Sequence, residues 1–254
     1  KCETAMFNNV SRVNKEAQKK QQTKPHTTAK QRWLTGGLLV TCAVTGYFLL
    51  SRLEMVMPFS QIPAVLCLPS CADDSMVHPV LVTKASRPDG WLNSDESLAS
   101  LLGESVDRAK VSLLIEKSQH RVTVFYDSEP VKAYEAVFGT VPVGDKRMEG
   151  DRKTPEGVFR IRDLYPHDEW SKFIWLDYPT PESWQKHLQA KMNGDIGPDA
   201  TIGGEIGIHG VPEGADGLID TRSNWTWGCI ALKNADVDEI YAYVTQGSVV
   251  EIVP

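Results

Sequence analysis

From residue 110 onward apolar and polar positions alternate, and the alternation predicts strands. Val111 to Glu116 and Arg121 to Tyr126 are rich in β-branched and aromatic residues and are joined by a short polar link around Ser118-Gln119, which predicts an antiparallel pair. Val131 to Phe138 follows as a third strand. Further strands are expected at Gly157 to Ile161, Ile206 to His209, Cys229 to Leu232 and Ser248 to Val253. Two helical repeats interrupt them. Thr180 and Pro181 offer a cap followed by proline at the first helical position, Trp184, Leu188 and Met192 recur every fourth residue, and Gly194 ends the run. Asn234 is expected to cap a second helix whose Val237, Ile240, Tyr241 and Val244 face the core. The pattern predicts a β-rich α+β domain over residues 108–254.

The N-terminal part has another texture. Trp33 to Leu50 is an uncharged run of eighteen residues, enough to span the hydrocarbon of a bilayer as a helix. Residues 1–32 hold eight Lys and Arg against two Glu, whereas residues 51–254 hold nineteen basic against thirty-one acidic residues. Positive charge stays in the cytoplasm, so the expected topology is a basic cytoplasmic tail over 1–32, a single-pass signal anchor over 33–50 in the inner membrane, and a body in the periplasm. A cleaved signal peptide and a secreted form are the alternative; against them stand the long basic region and the lack of an Ala-x-Ala site. Residues 51–107 form a connector broken by Pro58, Pro63, Pro69, Pro79 and Pro88, with one short helical patch near Asp95 to Leu102. The basic tail carries no nucleic-acid motif, topology accounts for its charge, and no nucleic-acid partner is expected.

Cysteine usage agrees with export. Cys67 and Cys71 can close a small loop by a disulfide, and the lipid-anchor signal Leu68-Pro69-Ser70-Cys71 lies too far beyond the apolar run to serve. The six His show no ligand-like spacing, so no metal and no cofactor is expected. Cys229 is left over, and a lone thiol in an oxidising compartment is either paired to another chain or kept free because it is used. A thiol becomes a strong nucleophile as thiolate, and an imidazole within reach can take its proton. His209-Gly210 and Gly228-Cys229 offer that base and nucleophile, and the Gly228 and Cys229 amides can meet an oxyanion. The plain alternatives are a buried small cysteine beside Ile230 and Leu232, and a satisfied core histidine.

Spacing favours chemistry. Sixteen residues separate His209 from Thr226-Trp227-Gly228-Cys229, and upstream lies Val141-Pro-Val-Gly144, followed by Gly150-Asp151-Arg-Lys-Thr154-Pro155-Glu156-Gly157. Read alone, that upstream block is turn chemistry. Together the two blocks resemble the L,D-transpeptidase (YkuD-type) catalytic domain family over residues 108–254. The likeness is to its proteobacterial branch with Gly-Asp-x-x-Thr-Pro-Glu-Gly and Trp-Thr-x-Gly-Cys-Ile-Ala. Two positions depart from the general pattern: Trp227 stands where most members carry His, and Ala231 where they carry Arg. Trp227 cannot act as a base, so proton abstraction falls to His209 alone.

The resemblance implies the family's β-sandwich with inserted helices, open at the end that holds Cys229 and His209. It implies a Cys229 nucleophile attacking a peptidoglycan stem peptide between a diamino acid and a terminal D-Ala, His209 as general base, the Gly210 carbonyl orienting the ring, and Gly228 as an oxyanion amide. Thr226, Trp227, Arg222 and Tyr178 are the candidates for substrate contact. Trp170, Trp175 and Trp184 join Tyr178 on the expected substrate-side wall, with core filling as their alternative. An amine acceptor, from another stem peptide or a wall-attached lipoprotein, makes a transpeptidase; water makes a hydrolase that cuts a cross-link or a wall-lipoprotein bond. A wall-binding scaffold that has lost turnover is the non-enzyme reading.

Overall fold

A computed structural model of the chain describes residues 29–52, 56–62, 91–103 and 105–254, with side chains from residue 41. Residues 1–28, Cys67, Cys71 and the prolines at 63, 69, 79 and 88 lie outside the described residues. The chain divides into two units, Lys1–Leu49 and Leu50–Pro254. Helix α1 (Ala29–Arg52) contains the uncharged run, and the Thr45 hydroxyl donates back to Thr41 O at 2.9 Å. Among the described residues no helix is long and apolar enough to cross a membrane.

In the second unit, β1 (Val111–Glu116) and β2 (Arg121–Tyr126) pair antiparallel, with Leu113 opposite Val124 and Ile115 opposite Val122. Arg121 and Glu116 close this pair in a two-pronged ion pair at 2.6 and 2.7 Å. β3 (Glu129–Glu135) continues the hairpin, and β8 (Val249–Val253) lies parallel to β1, so the C-terminal strand sits inside the sheet. β4 (Gly157–His167) runs six residues beyond the expected end at Ile161. Its first part pairs with β8 and its second with β5 (Ser171–Leu176), and the register shifts between Ile161 and Asp163. That bulge bends the strand within one continuous eight-stranded sheet, where the resemblance implied a sandwich of two. β5 pairs with β6 (Gly207–His209), which runs parallel to β7 (Ile230–Ala231).

The order is β3-β2-β1-β8-β4-β5-β6-β7. Beyond β3 the chain crosses to the far edge, where Val137 and Ala231 exchange two hydrogen bonds of 2.9 Å. The sheet thereby curls around a core that includes Leu113, Val124, Phe138, Ile174, Ile208 and Ile230.

The helices depart from the expected pattern in detail. α3 (Pro181–Asn193) starts where Thr180 Oγ1 accepts from the Ser183 amide and ends at Gly194 in the left-handed conformation. Its buried face is Trp184, His187 and Ala190, while Leu188 and Met192 are exposed. His187 is drawn inward because its Nδ1 donates to Arg147 O at 2.6 Å. α4 (Gly217–Asp220) is short. α5 (Asn234–Tyr243) is not capped by Asn234: Lys233 precedes it without a side-chain cap, and Asn234 Oδ1 accepts instead from the Val211 amide at 3.0 Å.

Residues 91–103, read from sequence as connector, pack on this unit. α2 (Leu98–Leu102) begins at Ser97, whose Oγ accepts from the Ser100 amide, and Leu98 is buried in the main core. The Leu98 amide donates to the Glu239 carboxylate, and Asn93 Nδ2 donates to Val131 O at 2.7 Å.

Candidate active site

His209 ends β6, and Cys229 immediately precedes β7. In the parallel pairing His209 stands opposite Ala231, so Cys229, two residues earlier, projects from the same face. The offset is roughly 7 Å along the strands and 5 Å across them, and both side chains line one cleft. His209 is only 2% exposed. Its Nδ1 donates to the Gly210 carbonyl at 2.6 Å, which leaves Nε2 as an acceptor. The Trp170 ring stacks on one side at 4.5 Å, Phe173 lies parallel at 6.0 Å, and Trp225 meets the ring edge-on at 5.7 Å. The Trp170 carbonyl also accepts from the Gly210 amide at 3.0 Å, so one residue braces both the ring and the backbone that orients it.

Burial sets the resting protonation. It lowers the His209 pKa to about 4, helped by nearby His167 and opposed by the Gly210 hydrogen bond. Burial pushes the Cys229 thiol up to about 11, with the Gly207 amide and Lys146 pulling it down and Glu205 adding to the rise. The Cys229 thiol donates to Glu205 O at 3.5 Å; its hydrogen bond is not to the imidazole. At neutral pH the resting pair is a neutral thiol and a neutral imidazole, so any nucleophilic use of the sulfur requires its proton to leave.

The Thr226 side chain holds the turn before the nucleophile. Its hydroxyl donates to Cys229 O at 2.7 Å and accepts from the Gly228 amide at 3.2 Å. The Gly228 N–H, expected to meet an oxyanion, is held by Thr226 inside the loop in this structure. Gly228 itself is required, since it sits at φ +140 and an added Cβ would lie 2.7 Å from Lys153 O.

The glycine-rich block that reads as a plain loop builds the facing wall. Asp151 accepts from the Arg147, Met148 and Lys153 amides and from Lys146 Nζ at 2.9 Å. Burial raises its pKa, but those hydrogen bonds outweigh it and hold the carboxyl below its ordinary value. Buried Lys117 donates to Gly144 O and pairs with Glu156 at 2.6 Å, tying the block to the end of β1.

Other expected contacts are sorted by the fold. Trp227 is 78% exposed at the cleft, with the Arg152 guanidinium 5.9 Å from its ring, and Trp170 and Trp175 also line the cleft. Tyr178 is not a wall residue; it is buried and donates to Ile202 O at 3.3 Å, while Trp184 packs in the same core. Arg222 is drawn away from the cleft to Glu135 at 2.7 Å, against the Trp91 ring. Sequence reasoning left Lys146, Trp225 and Arg162 unassigned, though all three line the cleft. Among the described residues no group of three or more His, Cys, Asp and Glu is placed to hold a metal ion.

The model of the L,D-transpeptidase catalytic domain, YkuD, matches residues 110–252. The chain belongs to this family. The YkuD family is one of cysteine-dependent acyltransferases. Similar solved structures include the helical cell shape determining protein Pgp2 from Campylobacter jejuni, at 26% identity, with 56% of this chain and 46% of that one covered and a TM-score of 0.39. Another is the L,D-transpeptidase from Mycobacterium smegmatis, at 16% identity, with 57% and 59% covered and a TM-score of 0.38. The chain spans about half the length of the first structures it matches. No curated protein matches the chain.

Proposed function

We propose that this YkuD protein is a cysteine L,D-transpeptidase acting on peptidoglycan stem peptides. The observation that carries the reading is the placement of His209 at the end of β6 and Cys229 just before the parallel strand β7, on one cleft, with Nδ1 tied to the Gly210 carbonyl. His209 Nε2 takes the thiol proton as Cys229 Sγ attacks the carbonyl of the residue before the terminal D-Ala. With the Gly228 amide engaged, the Cys229 amide is the oxyanion donor. His209 returns the proton to the departing D-Ala amine, leaving a thioester on Cys229. An amine of a second stem peptide, or of a wall-attached lipoprotein, then attacks the thioester and restores the thiol. Water in its place makes the same protein a hydrolase. Both residues of the proton-transfer pair remain, which favours turnover over a wall-binding scaffold. The charge asymmetry around residues 33–50 favours a periplasmic place for this domain.

Purified disaccharide-tetrapeptide, incubated with the full chain and followed by mass spectrometry, tests the reading. Cross-linked dimers with loss of D-Ala are expected. Loss of D-Ala with gain of water means hydrolysis, and an unchanged substrate means a scaffold. Labelling by a carbapenem is expected to vanish in Cys229→Ser and to persist in Cys42→Ser.

A further inference from the structure

The bulge in β4 has a side chain of its own. Ile161 pairs with Leu176 and Asp163 with Trp175, so Arg162 is the extra residue between them. Bulges commonly re-aim a side chain beside an active site. Here the Arg162 guanidinium lies 4.4 Å from the centroid of the Trp175 ring, and both residues line the cleft with Cys229. Trp175 in turn pairs with Gly207, and Gly207 continues the register that brings Ile208 beside Ile230. Trp175, Gly207 and Cys229 therefore form one row across the sheet, and the Phe173 ring packs against Gly207 within it.

The charges of the cleft, Arg52 at the end of α1 aside, differ in their partners. Lys146 is neutralised by Asp151 at 2.9 Å. Glu149 accepts from the Thr201 hydroxyl. Arg162 is exposed and has no carboxylate partner among the described residues; its contact is the Trp175 face. A guanidinium stacked on a ring keeps its N–H edges free, and their planar fork matches a carboxylate in a two-pronged hydrogen bond. Stacking also fixes part of the side chain beforehand, so less rotamer freedom is lost when a ligand binds. Glu205, exposed in the same cleft and without an ion-pair partner among the described residues, opposes a ligand of high negative charge.

We propose that Arg162, held on Trp175, is the receptor for a single free carboxylate on the donor peptide, and so a specificity-determining residue. This rests on the reading of Cys229 as the acylated residue. Arg162 lies three strand spacings from the β7 end, roughly 14 Å of backbone before its side chain reaches back, so the carboxylate sits within a short peptide's length of the attacked carbonyl.

The test uses the full chain carrying Cys229→Ser, titrated calorimetrically with disaccharide-tetrapeptide and with the same compound whose carboxylates are converted to amides. Tighter binding of the acid is expected, with Arg162→Gln weakening it roughly ten- to hundredfold and erasing the preference for acid over amide. Arg162→Lys is expected to fall between, because a point charge replaces the fork. Equal weakening of acid and amide, an unchanged acid affinity in Arg162→Gln, or no binding of either compound overturns the proposal. Turnover of the tetrapeptide by the unmodified chain is read in parallel. Carboxylate-dependent binding without product keeps Arg162 and sinks the acyltransfer, whereas product with no change in Arg162→Gln does the reverse.

Discussion

The thiol of Cys229 rests against the backbone carbonyl of Glu205, at 3.5 Å, and its hydrogen bond goes there and not to His209. The two side chains share a face but are held by separate backbone acceptors, Glu205 O for sulfur and Gly210 O for the imidazole. The site is thus at rest in its neutral form, and a proton transfer from sulfur to Nε2 would require the sulfur to turn from the Glu205 carbonyl toward the imidazole ring.

That arrangement sets the pH profile of thiol alkylation. His209 accepts a proton from sulfur only while neutral, and burial keeps it neutral down to about pH 4. The alkylation rate at Cys229 is expected to fall on the acid side near that pH, and His209→Ala should abolish this limb. In His209→Ala the rate should follow the thiol alone, rising toward about pH 11. Stopped-flow alkylation across pH reads both. A profile unchanged by His209→Ala removes His209 from the proton transfer.

The same burial makes a stability prediction. The folded state holds His209 at about 4, below its ordinary 6.5, so folding favours the neutral ring. Its contribution is complete above pH 6.5 and is lost as the pH falls toward 4, amounting to roughly 3 kcal/mol at the lower end. Urea unfolding at pH 7 and pH 4.5 is expected to show a smaller acid loss in His209→Gln than in the parent protein. Equal losses would mean that His209 is solvated when protonated.

Gly210 is a steric requirement. A Cβ there would lie 2.0 Å from Asn234 Oδ1 and 2.6 Å from Trp170 O, so Gly210→Ala must displace the carbonyl that orients His209. Overpacking of this kind costs about 1–3 kcal/mol, and activity should fall more steeply than stability. Asn234→Ala removes the closer obstacle but also the acceptor for the Val211 amide. The double variant is expected to recover part of the stability of Gly210→Ala and little of its activity, as read by denaturant unfolding and donor turnover.

Trp227 separates binding from chemistry. It is largely exposed, so Trp227→Ala is expected to change stability by no more than about 0.5 kcal/mol. Loss of its face at the cleft should raise KM for the donor while kcat holds. Trp227→His should leave the alkylation profile unchanged. A rise of roughly a hundredfold would show that the parent chain lacks a working base.

Local signals wrote the legible parts of the fold. The alternation in Val111 to Tyr126 leads to β1 and β2, and Thr180-Pro181 with Gly194 brackets α3, because a strand face and a helix cap depend on residues only a few positions apart. β5 was missed. Its pairing depends on β4 extending past a bulge and on β6, more than thirty residues away in sequence. The repeat of Trp184, Leu188 and Met192 marks the helix without saying which stripe meets the core; Trp184, His187 and Ala190 are buried, with His187 tied to Arg147 O.

By itself the sequence determined the candidate nucleophile and base, the glycines beside them, and the β-rich domain that carries them, because thiol, imidazole and missing Cβ are properties of single residues. Only the tertiary structure decided what those residues meet. It spent the Gly228 amide on Thr226, buried Tyr178, drew Arg222 to Glu135, and set Trp170 against His209. Apart from the Gly228 turn, these contacts join positions far apart in sequence, and their partners are chosen by the curl of the sheet, which no local pattern encodes.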